Sequence, residues 1–393
     1  MIEWLLRVEA NRPFLFAEDG TWTYGQALEQ VRSRSSEKHR SSKPSLAPES
    51  IFDVLAGIAG GGVTVVGSER EVNVRTTADL VVFTSGTSGK AKGVRLTRAN
   101  LEAAARGSAE HLGHGPDDNW LLAMPLHHVG GLSILVRQLY TGGSITLLPG
   151  FDVTRFVESM HGRVTMVSVV PTMLRRVLYN DAGPFSGLRA VLVGGGPIPD
   201  GLLEEAGEAG LPVLPTYGMT ETFGQVATLR PGFPLRRHAH PLPGVEIAIT
   251  ERGRIAVKGG QVSPGYLGEP DRESDWFVTS DLGRIDKDGA LQVLGRADNV
   301  IVTGGENVDP ERIEMAIEEH PSVSEAVVVG VPDREWGNAV VCAYVGDVSA
   351  SDLAAWASER LDRAMRPKTW KHVDELPRLS IGKPDRSAIA ELF

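Results

Sequence analysis

The stretch that decides the fold class is Thr84–Gly93, which has the sequence TSGTSGKAKG. It follows an apolar, strand-like run, Leu80–Phe83, and precedes a helical pattern that begins near Thr97. Its glycines let the backbone bend and expose N–H groups, and its hydroxyl groups and lysines complete a cradle suited to a polyphosphate. On composition alone, a Ser- and Gly-rich surface loop fits the stretch equally well. It is not a Walker A loop, because its Gly-Lys pair is followed by Ala91 and not by Ser or Thr.

Apolar runs alternate with helical patterns on both sides of this stretch, which favours an α/β fold in layers. Helical patterns such as Arg98–Leu112 and Pro171–Leu178 lie between the runs. The runs rich in Val, Leu and Ile, which fit buried strands of a largely parallel sheet, are Leu80–Phe83, Trp120–Met124, Ser144–Leu148, Met166–Val170 and Ala190–Val193.

In the second half of the chain, the alternation of apolar runs with helical patterns gives way to short strand patterns. Val245–Val257 and Ala290–Leu294 contain short alternating strands with glycine turns, which predict a small antiparallel sheet or barrel appended to the first part. We therefore expect a large N-terminal domain of layered α/β subdomains with a small antiparallel β part, over residues 1–295.

A second unit is predicted to begin after Gly295. Asp309 is a good N-cap and Pro310 suits the first helical position, so a helix should begin there and end at Pro321. Strands are predicted at Ala326–Val331 and Ala339–Val345, followed by a helix over residues 351–365. Residues 296–393 should form a smaller, mobile C-terminal α+β domain.

Composition narrows the class of partner. The chain has 393 residues and a net charge of -10, which argues against a nucleic acid or an anionic membrane as the main partner. It has no run of about 18 apolar residues, so no membrane span is expected. Its one cysteine, Cys342, suits a reducing cytoplasm. Val31–Ser50 is polar and predicts a solvated connection. The sequence leaves open whether the chain forms homo-oligomers.

Thr84–Gly93 resembles the phosphate-binding signature of the acyl-adenylate-forming superfamily, which includes acyl-CoA synthetases, luciferases and the adenylation domains of peptide synthetases. The resemblance extends over about residues 51–393. The family motif has Pro where this chain has Ala91, which alters the stiffness of the loop more than its chemistry. The residues that this resemblance implies for the phosphates of ATP are Thr84, Ser85, Gly86, Thr87, Gly89 and Lys92.

Two further motifs resemble the nucleotide-binding segments of the family. Gly194-Gly195-Gly196-Pro197 resembles the segment that lies along the adenine. In Tyr217-Gly218-Met219-Thr220-Glu221, the resemblance implies that Tyr217 stacks on the adenine, Thr220 bonds the α-phosphate and Glu221 holds Mg²⁺. An aromatic face suits a base, and a hard carboxylate suits a hard cation.

The ribose and the domain junction have their own motifs. Ser280-Asp281-Leu282-Gly283 resembles the ribose motif, in which Asp281 accepts hydrogen bonds from the ribose hydroxyls. Gly295-Arg296-Ala297-Asp298 resembles the junction, with Arg296 near the ribose and Asp298 at the hinge. Taken singly, these residues have structural alternatives: Tyr217 fits a core position and Asp281 fits a turn cap.

Two motifs in the second unit imply two chemical steps. Leu379-Ser380-Ile381-Gly382-Lys383 resembles the motif whose lysine catalyses adenylation, although a single lysine near a C-terminus is more often a solvated surface residue. Gly304-Gly305-Glu306-Asn307 resembles the loop that enters the site for thioester formation. The resemblance implies ATP, Mg²⁺ and coenzyme A, with a rotation of the small domain that removes Lys383 and brings the Gly304 loop inward between the steps.

The acid that is activated should be contacted by Pro125–Arg137, PLHHVGGLSILVR. This segment is similar to that of o-succinylbenzoate-CoA ligases of menaquinone biosynthesis, which are also shorter than most of the superfamily. Such an acid carries a ketone and a second carboxylate, so its pocket needs donors. His128 is the candidate catalytic, substrate or gating contact, and Arg137 the candidate for the distal carboxylate. The competing interpretations are a packed core histidine and an exposed helix charge.

Three functions remain open from the residues alone. The first is ATP-dependent activation of o-succinylbenzoate to an acyl-adenylate, followed by thioester formation with CoA. The second is the same chemistry on another aryl or fatty acid, or the loading of a carrier protein in place of CoA. The third is a catalytically degenerate nucleotide-binding regulator. Lys92, Glu221 and Lys383, present in the expected motifs, argue against the third.

Overall fold

The computed structural model describes residues 1–34, 44–60, 63–67, 77–85, 91–180, 183–236, 238–378 and 384–393. The helices are α1 (Ile2–Leu6), α2 (Tyr24–Arg34), α3 (Pro48–Ala59), α4 (Arg98–Leu112), α5 (Val129–Thr141), α6 (Val153–Met160), α7 (Pro171–Tyr179), α8 (Asp200–Glu208), α9 (Pro310–Glu318), α10 (Ala350–Arg360) and α11 (Arg386–Ala390). Among the helices of these ranges, none is long and apolar enough to cross a membrane.

The strands are β1 (Pro13–Ala17), β2 (Gly20–Thr23), β3 (Thr64–Val66), β4 (Leu80–Ser85), β5 (Ala91–Leu96), β6 (Asn119–Leu122), β7 (Ser144–Leu147), β8 (Met166–Val169), β9 (Ala190–Val193), β10 (Val213–Met219), β11 (Gly224–Thr228), β12 (His238–Pro241), β13 (Val245–Ile249), β14 (Arg254–Gly259), β15 (Gly265–Tyr266), β16 (Phe277–Ile285), β17 (Leu291–Arg296), β18 (Ile301–Thr303), β19 (Glu306–Val308), β20 (Val323–Asp333), β21 (Gly337–Gly346) and β22 (Thr369–His372).

A parallel sheet with helices on both faces forms the centre of the molecule. Strands β1, β7, β6, β8, β9 and β10 pair in parallel in that order. Along β6, Trp120 and Leu122 face α4 and α5, whereas Leu121 faces α6, α7 and α8. Burial on both faces explains why these strands are continuous apolar runs. The α/β prediction and the four predicted strands between residues 120 and 193 are therefore confirmed, with ends within two residues.

Strand β4 is the exception among the predicted strands. It belongs to a separate four-stranded sheet in the order β15-β5-β4-β3, where it pairs in parallel with β3 and antiparallel with β5. The glycine-rich stretch therefore joins two strands of a hairpin and does not lead directly into a helix. Strand β5 was missed because Lys92 and Gly93 interrupt its apolar pattern. The predicted helix Arg98–Leu112 is confirmed, and Thr97 caps it with a capping box.

The predicted antiparallel part is present, and it continues the central sheet. Strand β10 pairs in parallel with β9 over Val213–Pro215 and antiparallel with β11 over Thr216–Met219. The ladder then continues through β12, β17, β16, β14 and β13, all antiparallel. The predicted antiparallel part is therefore confirmed, and it joins the central sheet because β10 extends beyond the end of β9 and pairs with β11 along its other edge.

The polar stretch predicted to be a solvated connection begins inside a helix. Val31 is fully buried in α2, and Arg34 pairs with Asp53 of α3 at 3.0 Å. Pro48 occupies the first turn of α3, where its missing N–H costs no hydrogen bond. The prediction was thus wrong for residues 31–34 and 48–50, and residues 35–43 lie outside the described ranges.

The last part of the chain has its own sheet and its own cores. Strands β20, β21 and β22 form a three-stranded sheet with α9 and α10 over one face and α11 over the other. The predicted N-cap of α9 is confirmed, because the Asp309 carboxylate accepts the N–H of Glu311. The helix predicted over residues 351–365 ends at Arg360, and a short 3-10 turn follows at Arg363–Met365. A domain boundary between residues 295 and 296 stays a prediction.

A partly buried ion pair, in which Glu314 is buried and Arg386 is half-buried, ties α11 to this unit a few residues after Lys383 in the sequence. Arg386 donates to both carboxylate oxygens of Glu314, at 2.7 and 3.0 Å, and to the carbonyl of Val328 at 2.7 Å. Glu314 also accepts the N–H of Val328 at 2.7 Å. Burial raises the pKa of Glu314, and the guanidinium opposes that shift. The pair therefore holds the start of α11 against α9 and β20.

We expect Arg386→Met to lower the free energy of unfolding of this unit by about 3–5 kcal/mol, because Glu314 would remain buried without its cation. Urea denaturation checks this value. The double variant Glu314→Leu/Arg386→Met should recover most of the loss. Arg360→Met removes an exposed pair with Glu359 and should change stability by less than about 1 kcal/mol. Equal effects of the two single variants would contradict the assignment.

Candidate active site

The candidate site lies at the carboxyl end of β9 and β10. Gly194 follows β9 so closely that a Cβ there would be 2.6 Å from the carbonyl oxygen of Thr216, and the next glycine, Gly195, has a φ of +80°. Only glycines fit this path without strain. Gly194 thus lies against the second half of β10, which contains Tyr217.

Tyr217, Asp281 and Arg296 form one hydrogen-bonded cluster. The Tyr217 hydroxyl donates to Oδ2 of Asp281 at 2.6 Å, and Nη1 of Arg296 is 3.3 Å from Oδ1. Asp281 on β16 and Arg296 on β17 are paired across the ladder. Burial, and then the Asp281 carboxylate, raise the pKa of Tyr217, so its hydroxyl stays a donor. Three residues predicted from three separate motifs are therefore brought together.

Glu221 lies in the 3-10 turn Thr220–Thr222, which directly follows β10. The Thr222 hydroxyl donates to the carbonyls of Met219 and Gly224, which closes the turn at both ends. The next residue, Phe223, has a left-handed backbone with a φ of +49° and is buried. This local constraint projects Glu221 from the end of the strand.

Tyr266 is a site residue that the sequence reasoning missed. Its hydroxyl donates to Oε1 of Glu221 at 2.8 Å, and Nζ of Lys92 is 4.9 Å from the centroid of its ring. Burial, and then the Glu221 carboxylate, raise the pKa of Tyr266. An aromatic residue between Gly265 and Gly268 was the available signal, but glycines so placed predict only turns.

The phosphate side of the site is the β4–β5 hairpin. Thr84 is paired with Lys92 in the register, and its hydroxyl is 3.5 Å from the Lys92 carbonyl oxygen. Ser85 is paired with Ala91 at the end of the hairpin. The predicted phosphate contacts Gly86, Thr87 and Gly89 lie outside the described residues. Lys92 and Glu221 are brought together by their shared neighbour, Tyr266.

The carboxylate of Glu221 fits Mg²⁺ that arrives with a nucleotide. In the described part of the chain, no group of three or more His, Cys, Asp or Glu side chains could hold a metal ion without further ligands. Mg²⁺ in nucleotide sites is commonly bound by one or two carboxylates together with phosphate oxygens. Glu221 accepts Tyr266 through Oε1, and among the described residues no hydrogen bond reaches Oε2. That oxygen can therefore face a cation.

His128 directly precedes helix α5, whose residues Ser133 and Arg137 lie beside Gly224. It is the N-cap of α5, and its carbonyl oxygen accepts the N–H groups of Gly131 and Leu132. Its ring lies 4.3 Å from that of His127. Its backbone thus has a structural role, and its side chain remains a predicted substrate contact.

Arg137 is buried inside the molecule, so the exposed-charge interpretation was wrong. Only 5% of its surface is exposed, and its guanidinium lies 5.1 Å from the centroid of the Trp120 indole. A Cβ on Gly224 would be 3.4 Å from Nη2 of Arg137 and 3.7 Å from Oγ of Ser133. Burial lowers the pKa of Arg137 to about 9, so it is still a cation at neutral pH. No ion pair joins it to a carboxylate in the described ranges.

Among the described residues, no hydrogen bond joins Gly304 or Gly305 to this cluster. Gly304 and Gly305 form the turn of the β18–β19 hairpin with φ values of +57° and +86°. The N–H of Gly304 donates to the Trp336 carbonyl at 2.8 Å. Asp298 lies in the 3-10 turn Ala297–Asn299 between β17 and β18, and its side chain is outside the description. Lys383 also lies outside the described residues.

Comparison with known proteins agrees with this arrangement. A family model described as AMP-binding enzyme matches residues 32–267, and one described as AMP-binding enzyme C-terminal domain matches residues 312–383. A 2-succinylbenzoate–CoA ligase of Bacillus mycoides (strain KBAB4) is 40% identical over 338 residues, which cover 80% of this chain and 70% of that protein.

Two solved structures of an enzyme from Bacillus subtilis are similar over nearly the whole chain. o-Succinylbenzoate CoA synthetase in complex with the acyl-adenylate intermediate OSB-AMP is 30% identical, with a TM-score of 0.90 over 98% of this chain and 97% of that one. The same enzyme in complex with ATP and a magnesium ion is 30% identical, with a TM-score of 0.87 over 98% of each chain.

We expect Asp281→Ala to weaken ATP binding about 10- to 100-fold, because the ribose would lose a charged acceptor and Tyr217 and Arg296 would lose theirs. Isothermal titration calorimetry without an acid substrate measures this directly. Asp286→Ala is the matched control, since Asp286 directly follows β16 but pairs with His238. An unchanged Kd for Asp281→Ala would remove this carboxylate from the nucleotide site.

Proposed function

Because this chain belongs to the AMP-binding enzyme family, we propose that it is an o-succinylbenzoate–CoA ligase of menaquinone biosynthesis. It activates the acid with ATP to an acyl-adenylate and then transfers the acyl group to CoA. A cytoplasmic setting fits the single cysteine, Cys342, which is buried as a free thiol.

The observation that carries the proposal is the convergence of separate motifs at the carboxyl end of β10. There the Tyr217 hydroxyl donates a hydrogen bond to Asp281. Four residues later, Glu221 accepts a hydrogen bond from Tyr266, whose ring contacts Lys92. This places groups suited to a base and a ribose next to groups suited to a metal-bound polyphosphate. The same constellation argues against a degenerate regulator.

In the first step, one oxygen of the substrate carboxylate attacks the α-phosphorus of ATP. The bond from the α-phosphorus to the bridging oxygen breaks, and pyrophosphate leaves with that electron pair. Both reactants are anions, so the site must supply positive charge. Lys92 and Lys383 supply two cations, and Thr220 bonds the α-phosphate. Mg²⁺, held by Glu221, would neutralise phosphate charge when it is bound.

In the second step, the thiol of CoA gives up its proton and its sulfur attacks the carbonyl carbon of the adenylate. AMP leaves and retains the oxygen that came from the carboxylate. We propose that residues 296–393 rotate about Asp298 between the steps, which withdraws Lys383 and brings Gly304 and Gly305 to the thiol. Glycines in this turn permit close backbone approach.

Arg137 supports o-succinylbenzoate over a fatty acid as the substrate. In the part of the chain that the structure describes, this buried guanidinium has no carboxylate partner, which is costly and favours the entry of an anion. o-Succinylbenzoate reacts through its succinyl carboxylate and retains a second carboxylate on the ring. We propose that Arg137, which lies next to Ser133 and Gly224, binds that ring carboxylate. A fatty-acid pocket would be apolar throughout.

We expect Arg137→Met to lower kcat/KM for o-succinylbenzoate by about 10²- to 10⁴-fold and to leave 4-oxo-4-phenylbutanoate, which lacks only the ring carboxylate, nearly unchanged. The wild-type protein should prefer o-succinylbenzoate by a similar factor. Pyrophosphate release with saturating ATP and CoA measures both acids.

The matched control for this experiment is Arg176→Met. Arg176 also lies over an aromatic ring, 5.0 Å from the centroid of Phe151, but it is an exposed residue on α7. Arg176→Met should leave kcat/KM unchanged for both acids. An equal loss for both acids in Arg137→Met would show that Arg137 supports the fold and does not recognise the ring carboxylate.

A further inference from the structure

Tyr266 contacts two groups of opposite charge, the Glu221 carboxylate and the Lys92 ammonium. Its hydroxyl donates to the Glu221 carboxylate at 2.8 Å, and its ring faces the Lys92 ammonium at 4.9 Å. Glu221 comes from the turn after β10, whereas Lys92 comes from β5 of the other sheet. The hydroxyl of Tyr266 therefore contacts an anion that follows a strand of one sheet, and its ring contacts a cation on a strand of the other sheet.

We propose that Tyr266 is a positioning residue that sets the Glu221 carboxylate and the Lys92 ammonium at a fixed separation, so that Mg²⁺ and the terminal phosphates of ATP bind as one unit. This inference rests on the proposed function, because it assigns Glu221 to the metal and Lys92 to the phosphates.

The backbone around Tyr266 is connected to both partners. Tyr266 is paired with Val94 of β5, two residues beyond Lys92, and the N–H of Leu267 donates to the Gly93 carbonyl at 2.7 Å. On the other side, the N–H of Ser263 donates to the backbone carbonyl of Glu221 at 2.7 Å. The segment 263–267 thus bridges the phosphate hairpin and the Glu221 turn, with Tyr266 inside the bridge.

The Ser263 side chain makes this bridge stiff. Its hydroxyl donates to the Arg95 carbonyl at 2.7 Å and accepts the N–H of Gly265 at 3.0 Å. Ser263 is buried, with 3% of its surface exposed. A side chain on a backbone held in this way has few alternative positions, which is what a positioning role requires.

The hydroxyl and the ring of Tyr266 have separable effects. The hydroxyl occupies Oε1 of Glu221, which leaves Oε2 for a cation and prevents free rotation of the carboxylate. The ring attracts the Lys92 ammonium through its π face. Tyr266→Phe removes the hydrogen bond and keeps the ring, whereas Tyr266→Leu removes both.

The experiment measures ATP binding by isothermal titration calorimetry over a series of Mg²⁺ concentrations, without acid or CoA, so that no turnover occurs. For Tyr266→Phe, we expect the Mg²⁺ concentration that gives half of the gain in ATP affinity to rise about tenfold. ATP affinity without Mg²⁺ should stay unchanged. For Tyr266→Leu, metal-free ATP affinity should also fall by about three- to fivefold, because Lys92 loses its ring.

A double-mutant cycle with Glu221→Gln separates positioning from a general structural effect. In the Glu221→Gln background, Tyr266→Phe should cause no further change in Mg²⁺ dependence. The fold control is Tyr24→Phe, which removes a buried hydroxyl that donates to the Gly143 carbonyl at 2.7 Å. It should lower the melting temperature and leave the Mg²⁺ dependence unchanged.

Two results would overturn the inference. One is an unchanged Mg²⁺ dependence in folded Tyr266→Phe, and the other is the same shift with and without the Glu221 carboxylate. The Mg²⁺ dependence of ATP binding by the wild-type protein shows whether only the role of Tyr266 is wrong or the proposed function as well. If Mg²⁺ does not strengthen ATP binding in the wild type, the proposed function itself is wrong.

Discussion

The change of partner along β10 is the constraint on which the site depends. Its first three residues pair in parallel with β9, and its last four pair antiparallel with β11. A parallel sheet places its loops at the carboxyl ends of its strands, and an antiparallel extension carries the chain beyond that edge. Tyr217 and Glu221 therefore project where β16, β17 and the β4–β5 hairpin can reach them.

The sequence was a good guide to local chemistry and a poor guide to long-range pairing. Tyr217, Asp281 and Arg296 were each predicted from their motifs, and the buried strands from continuous apolar runs. The hydrogen bonds that unite the three could not be predicted, because they depend on the register between β16 and β17. Tyr266 was missed for the same reason: its importance comes from neighbours in two other segments.

Charge explains how an acidic chain can bind anions. The net charge of -10 is spread over the whole sequence, whereas the candidate site includes Arg137, which is shielded from water, and the half-buried Arg296, beside the exposed Lys92. Arg137 shows this most clearly, since it is 95% buried against Trp120 and Gly224 although helix periodicity also allowed an exposed position. The net charge therefore reflects mainly the exposed side chains, whereas the electrostatic potential inside the pocket depends on which charged side chains are buried there.

The proposed activity begins with attack of the succinyl carboxylate on the α-phosphorus of ATP. o-Succinylbenzoate labelled with ¹⁸O only in that carboxylate tests it most directly, with ATP, Mg²⁺ and CoA present and the products analysed by mass spectrometry. Attack at the α-phosphorus followed by thioester formation leaves one labelled oxygen in AMP and none in pyrophosphate. Label in inorganic phosphate with formation of ADP, or unlabelled AMP beside the thioester, would contradict the account.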